Sequence, residues 1–375
     1  MRQFLPSLRL VGADALRDGA LQARSVAIEG GRIAKGPFPE VDVSGYLVLP
    51  GIVDLERPVD AVPRPASCAG APTWDDVEVH TGIDGVTTAM VRQNWNWASG
   101  IDDREAALSS LSALRKWRRG TGTDLRIQLH VETHLMDWEA AVHEHADGET
   151  VSQVIFRNRL GQAMAEATFQ RDARQAHLRA LSKRSQDVPR FLCRLAENFD
   201  RVGVLYGSQG DPDGETREFF SMIGGRICLR PATRAAAALA RAVGDPVLLS
   251  ASDILQPSDA SADFSAERFV TTYKNSALVS QGRPGCLVQA AFHLVGKGGM
   301  TLADAWSLVS TRPAEIARLP DRGRIAYGQR ADLVIVHPHT RKVHATLAGG
   351  CLTYATDELA ARFADLPSVF EHAAE

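Results

Sequence analysis

Between residues 47 and 280, eight short apolar runs alternate with longer stretches of helical periodicity, and this alternation restricts the possible folds more than any other feature of the chain. The runs are residues 47–55, 85–91, 125–132, 151–156, 201–207, 226–230, 246–251 and 275–280. Nearly continuous apolar runs of this length are strands covered on both faces, and parallel strands need helical crossovers between them. Residues 102–119, 162–198, 215–223, 233–243, 286–295 and 302–309 have the periodicity of such crossovers. Eight repeats predict an α/β protein with a (β/α)8 barrel, whose chemistry gathers at the C-terminal ends of the strands. The first run reads as one buried strand entered by a turn at Pro50-Gly51. Residues 162–198 are rich in arginine and sparse in apolar positions, which predicts an insertion over the barrel mouth rather than a core helix.

Outside the barrel the texture changes. Residues 4–50 alternate short apolar runs with turn signals, including Gly30-Gly31 as a hairpin turn, and the same texture returns in GRIAYGQRADLVIV and KVHATLAGGCLTY. Both termini therefore contribute to a small split β-sandwich domain, residues 1–50 with 321–357, around a barrel of residues 51–320. Residues 358–375 read as a helix packed on the outside or on a neighbour. A net charge of −3 with 23% charged residues gives no reason to expect nucleic acid as a partner. No apolar run approaches the roughly 18 residues of a membrane span. The N-terminus lacks the apolar segment of a signal peptide. Five scattered cysteines without a C-x-x-C pair argue against a disulfide framework or a zinc knuckle, so the expected location is the cytoplasm.

Several residues are candidates for chemistry. His130, Glu132 and His134 in QLHVETHL alternate along a strand and its exit, a pattern that can bring three ligands to one ion. The same pattern also fits a buried His130 bonded to Glu132, with His134 in a loop. Glu56 and Glu132, at two strand ends, are the candidates for metal-free acid–base work. Arginines follow many of the strands: Arg57, Arg92, Arg157, Arg159, Arg230 and Arg283, with Arg64 in the first loop. Guanidinium groups converging at a barrel mouth would bind phosphate or carboxylate through forked hydrogen bonds; dispersed, they are ordinary exposed arginines. Trp95 and Trp97 in the second loop are placed either to stack on a ligand or to pack under the insertion. His143 and His145 read as a solvated helix end. Asp75-Asp76 and Asp102-Asp103 read as helix caps. No Ser/His/Asp triad, P-loop or G-x-G-x-x-G motif is present.

LPGIVDL at the start of the barrel and TLADAWSLVSTRPAEIARLPDRGRIAYGQRADLVIV at its end closely resemble the amidohydrolase superfamily. PRP at 63–65, GVTTA at 85–89, Ser208 to Asp211 and CLVQAAF at 286–292 resemble the branch that contains the ribose methylphosphonate triphosphate diphosphatase activity of phosphonate metabolism. That resemblance implies zinc or other divalent ions held by histidines and acids. Laid over this sequence, its ligand positions fall on Glu56, Pro58, Glu132, Asn158, Gln209, Ala260 and Gln281, so only Glu132 keeps its expected type. A dinuclear site needs several imidazoles and carboxylates. The resemblance with these departures implies no metal cofactor and a non-catalytic homologue that binds an anionic phosphorylated molecule. It also implies a homo-oligomer, or a hetero-oligomer with an active relative. The alternative is a divergent hydrolase acting on a phosphorylated or amide substrate, with a rearranged single-metal site or a metal-free carboxylate site.

Overall fold

A computed structural model describes residues 3–366 except 60–71, 96–100, 118–121, 149, 167–172, 258–263 and 298, with the side chains of 3–4, 101–107 and 173–174 also set aside. Arg64, Trp97, Ala260 and residues 367–375 thus lie outside the described residues. The chain folds as a (β/α)8 barrel with a small split β-sandwich. The barrel strands are β1 (Ile52–Pro58), β2 (Val86–Trp95), β3 (Asp124–Glu132), β4 (Val151–Arg157), β5 (Leu205–Gln209), β6 (Ile227–Leu229), β7 (Val247–Ser250) and β8 (Ser276–Val279), lying side by side in chain order. Each of the eight predicted runs contains or overlaps one of them.

By compactness the chain divides into a first unit (Met1–Ala89, Trp117–Leu125, Ser250–Glu375) and a second unit (Met90–Lys116, Arg126–Leu249). In the first unit, a seven-stranded sheet takes strands from both ends of the chain, among them Leu47–Pro50 between Leu333–Val336 and Asp14–Arg17. A four-stranded sheet comprises Leu8–Val11, Val26–Glu29, Arg32–Ala34 and Glu40–Asp42. Glu29 pairs with Arg32 across a two-residue turn in which Gly30 and Gly31 have φ of 55° and 75°. Both values lie in the left-handed region that a tight hairpin requires. Alternate residues of both sheets, such as Leu8, Ile28, Val48, Leu333 and Leu347, share one core. The helix Asp357–Ala364 adds Leu359 and Phe363 to that core.

The run at 47–55 is two strands rather than one. Leu47–Pro50 pairs antiparallel with Leu333–Val336, and the chain re-starts as β1 at Ile52. Gly51 marks the transition: its N–H donates to Asp332 O at 2.8 Å, and a Cβ there would stand 2.4 Å from Thr87 Oγ1. Also in the first unit, the Gln281 N–H donates to Glu56 O at 3.1 Å, so the end of β8 meets β1.

In the second unit the stretch after β4 forms helices Leu160–Glu166, Ala173–Lys183 and Val188–Val202. The last corrects the expectation of an insertion without a core helix. Phe191, Leu192, Leu195, Ala196 and Phe199 recur at three- and four-residue spacing and are all buried. Their charged neighbours mask this stripe when the segment is read as a whole. Phe199 and Phe220, from the helix Gly214–Met222, both meet Phe156 of β4, at ring separations of 6.1 and 5.9 Å.

Candidate anion site and the altered metal positions

In the second unit, strand register arranges the site. Glu132 of β3 is level with Arg157 of β4, and Arg157 with Gln209 of β5. One row below, His130 is level with Ile155 and Gly207; in the next, Gln128 is level with Gln153. Side chains two residues apart on a strand share a face, so Gln128, His130 and Glu132 form a polar column along β3.

Hydrogen bonds tie this column together. Gln128 Nε2 donates to Gln153 Oε1 at 2.9 Å, and Gln128 Oε1 lies 2.7 Å from His130 Nε2. Glu132 accepts from Arg159 twice, from its backbone N–H at 3.1 Å and from Nε at 2.7 Å. Arg157 Nη1 donates to Asn94 Oδ1 at 3.0 Å. His130 is therefore bonded to Gln128, not to Glu132, whose two oxygens accept from Arg159.

The field around this column is positive. Burial lowers the pKa of Arg157 to about 10, and Arg159, Arg92 and Arg230 push the same way while Glu132 opposes them. Burial likewise holds the His130 imidazole neutral, helped by Arg157, Arg92, Arg230 and Arg159. Arg230 follows β6 with a φ of 47°, a left-handed conformation that costs a non-glycine residue energy and that clusters at functional positions.

Other predicted site residues lie elsewhere. His134 has both ring nitrogens engaged, with Nδ1 3.1 Å from Thr133 Oγ1 and Nε2 3.0 Å from Ser185 Oγ. Since Ser185 gives its hydroxyl proton to Ser182 O, His134 Nε2 is the donor of that pair. Trp95 is fully buried, edge-on to Trp138 and His145 at 5.8 and 6.1 Å, the geometry of a packed ring. His145 is in turn half-buried at the end of its helix.

In the first unit Arg57 is buried in an ion pair. Its Nη2 donates to Asp84 Oδ2 at 2.7 Å and its Nη1 lies 3.8 Å from Asp54 Oδ2. Arg283 is exposed, with Nη1 3.4 Å from Gln256 Oε1. Of the predicted arginine bowl, Arg92, Arg157 and Arg230 are, with Arg159, among the charges bearing on His130, while Arg57 is paired with acids and Arg283 stands exposed beside Gln256. Glu56 is fully buried in the first unit, and its backbone N–H donates to Asp54 Oδ1 at 3.3 Å. Asp76 closes a capping box with Thr73, as expected of a cap, while Asp75 accepts from Trp117 Nε1 at 2.8 Å.

Two groups escaped the sequence reading. Gln128 and Gln153 occupy inward positions of strands, and the i, i+2 spacing of Gln128, His130 and Glu132 was the available signal. Asp211 and the fully buried Arg217 form a clamp: Arg217 Nη1 donates to Ser208 Oγ at 2.9 Å and to Ile227 O at 3.2 Å, fastening its helix to β5 and β6.

The chain belongs to the amidohydrolase family, whose sequence profile matches residues 123–366. It is similar to the alpha-D-ribose 1-methylphosphonate 5-triphosphate diphosphatase of Escherichia coli (strain K12), 24% identical over 374 residues that cover 91% of this chain and 97% of that protein. Its fold is similar to the beta-aspartyl dipeptidase of Fervidobacterium islandicum AW-1, with a TM-score of 0.65, 14% identity and coverage of 93% and 97%. The N-acetyl-D-glucosamine-6-phosphate deacetylase of Mycobacterium smegmatis gives a TM-score of 0.62 at 17% identity, covering 93% of this chain and all of that one.

The superfamily resemblance implies a divalent metal, and the side chains at the corresponding positions test it. Among the described residues no three His, Cys, Asp or Glu side chains stand together to hold an ion. The row bearing Glu132 presents Arg157 and Gln209 beside it, and both Glu132 oxygens are engaged by Arg159. His130, Glu132 and His134 do not converge. These residues do not fit the group. No helix among the described residues is long and apolar enough to cross a membrane.

Proposed function

We propose that this amidohydrolase-family chain is a non-catalytic member that binds an anionic, phosphorylated small molecule through Arg92, Arg157, Arg159 and Arg230. The supporting observation is the field at Arg157, where the strongest charge effects come from three guanidinium groups and one carboxylate. Guanidinium groups crowded in a half-buried site repel one another, and an oxyanion relieves that repulsion while accepting several charge-assisted hydrogen bonds. The similarity to a protein whose name specifies a triphosphate substrate agrees with a phosphorylated ligand. The glutamates weigh against metal-free acid–base chemistry, since Glu132 already accepts twice from Arg159.

The test is a thermal-shift series with phosphate, pyrophosphate and nucleoside triphosphates, on protein expressed with zinc and manganese and assayed for bound metal. A ligand at 100 times its Kd stabilises the folded state by about 2.7 kcal/mol. The expected result is stabilisation without turnover, lost in Arg157→Met. Stoichiometric metal with hydrolysis of any of these compounds would overturn the proposal in favour of a divergent hydrolase.

A further inference from the structure

The polar column below the arginines ends in an unused acceptor. Gln128 gives its amide N–H to Gln153, which leaves its oxygen for His130. An amide oxygen only accepts, so the proton of the neutral imidazole sits on Nε2 and Nδ1 carries a lone pair. His130 is 1% exposed, and Nδ1 has no hydrogen-bond partner among the described residues. With Nε2 committed to the row below, Nδ1 diverges from it, and the ring sits within the field of Arg92, Arg157, Arg159 and Arg230. A buried acceptor left unpaired is costly, and its native explanation is a partner that arrives with something else.

Guanidinium groups only donate, and a fully ionised oxyanion only accepts. A lone pair beside such a site therefore repels a bare oxyanion and attracts one that brings a donor. We infer that His130 Nδ1 selects, at this arginine site, a phosphate that carries a hydrogen-bond donor, either its own P–OH or an alcohol adjoining the ester. This inference rests on the anion-binding reading above and narrows its ligand class.

Inorganic phosphate and sulfate provide the test, being tetrahedral and, near pH 7.5, mostly of equal charge, while only phosphate retains a P–OH. Titration calorimetry of the full chain is expected to show phosphate binding at least about tenfold more tightly than sulfate, the effect of satisfying one buried acceptor. Near pH 8.5, where phosphate esters are fully ionised, glycerol phosphate against propyl phosphate separates the two donor sources, preference for the former assigning the alcohol. His130→Leu should bring phosphate and sulfate together. In the wild type, the 15N spectrum of the imidazole should show the Nε2–H tautomer, a readout that does not depend on the variant folding. Equal affinity within both ligand pairs, or an Nδ1–H tautomer, overturns the inference while leaving the anion site standing. Binding of neither phosphate nor sulfate removes the site itself, and the inference with it.

Discussion

Arg57 and Arg157 both end barrel strands, yet their surroundings differ in charge. Arg57 is 2% exposed and lies between Asp54 and Asp84, a cation flanked by two acids. Asp54 is itself held by Ser280, whose N–H and hydroxyl donate to it at 3.1 and 2.5 Å. Arg157 instead donates to neutral Asn94 and feels three further guanidinium groups against one carboxylate, that of Glu132. A buried cation with its counter-charges in place fixes structure, whereas cations crowded together and half-exposed are poised for an anion from outside. The residue type is the same, and the difference lies in its electrostatic surroundings.

The largest expected effect tests the structural side. Arg57→Met leaves Asp54 and Asp84 buried without their cation, and breaking a buried pair from one side costs roughly 3–5 kcal/mol. Urea unfolding should register that loss with no change in phosphate affinity. A variant as stable as the wild type would show that Arg57 is not the counter-charge its geometry indicates.

Asp54 gives a second, pH-dependent measurement of the same pair. Burial pushes its carboxyl up to about 6, although Arg57 and Ser280 favour the ionised form. A raised folded pKa means that the native state takes up this proton more readily than the unfolded chain. The contribution of Asp54 is therefore complete below about pH 4 and is lost as pH rises through about 6, a difference of roughly 3 kcal/mol by linkage. Asp54→Asn should flatten the stability profile between these limits. In Arg57→Met the slope should extend to higher pH, because the attraction that held the carboxylate ionised is gone.

Arg157→Met tests the other side. Losing a hydrogen bond to a charged group should weaken phosphate binding roughly 10- to 100-fold. Stability should change by less than about 1 kcal/mol, since removing one guanidinium relieves repulsion from its neighbours. Comparable losses in stability for Arg57→Met and Arg157→Met would erase the distinction between the two arginines.

The sequence carried the fold well because its signals are periodic. Eight apolar runs mark eight strands, and the Gly30-Gly31 pair marks the hairpin. It failed at Gly51, where one apolar run serves two sheets, because hydrophobicity does not record which partner strand each half takes. It also missed the core helix Val188–Val202, whose apolar stripe is diluted by charged neighbours when averaged over the whole segment. The departures from the ligand types the family resemblance implies, from Glu56 through Gln281, are a matter of residue identity alone. The grouping of the arginines is not: position after a strand says that a side chain is near an end, while its partner depends on distant residues such as Asp84, 27 positions from Arg57. Trp95 was ambiguous for the same reason, since its burial against Trp138 and His145 is a property of packing.

Arg283 provides the smallest expected effect and the control for the whole comparison. Like Arg57 and Arg157 it follows a barrel strand, but it is exposed, and Gln256 accepts from it only at a long 3.4 Å. An exposed side chain with a weak neutral contact has little to lose on truncation, so Arg283→Ala should alter stability by no more than about 0.5 kcal/mol. It is absent from the charges acting most strongly on His130 and Arg157. Its loss should therefore leave phosphate affinity within about twofold, the scale of a screened, long-range charge. The measurement is calorimetric titration beside Arg157→Met at the same ionic strength. A loss in Arg283→Ala as large as that in Arg157→Met would mean that anion binding follows the summed positive charge of the strand ends, and the contrast drawn from local partners would fail. Unchanged affinity in one variant and a large loss in the other would assign recognition to the guanidinium groups around His130.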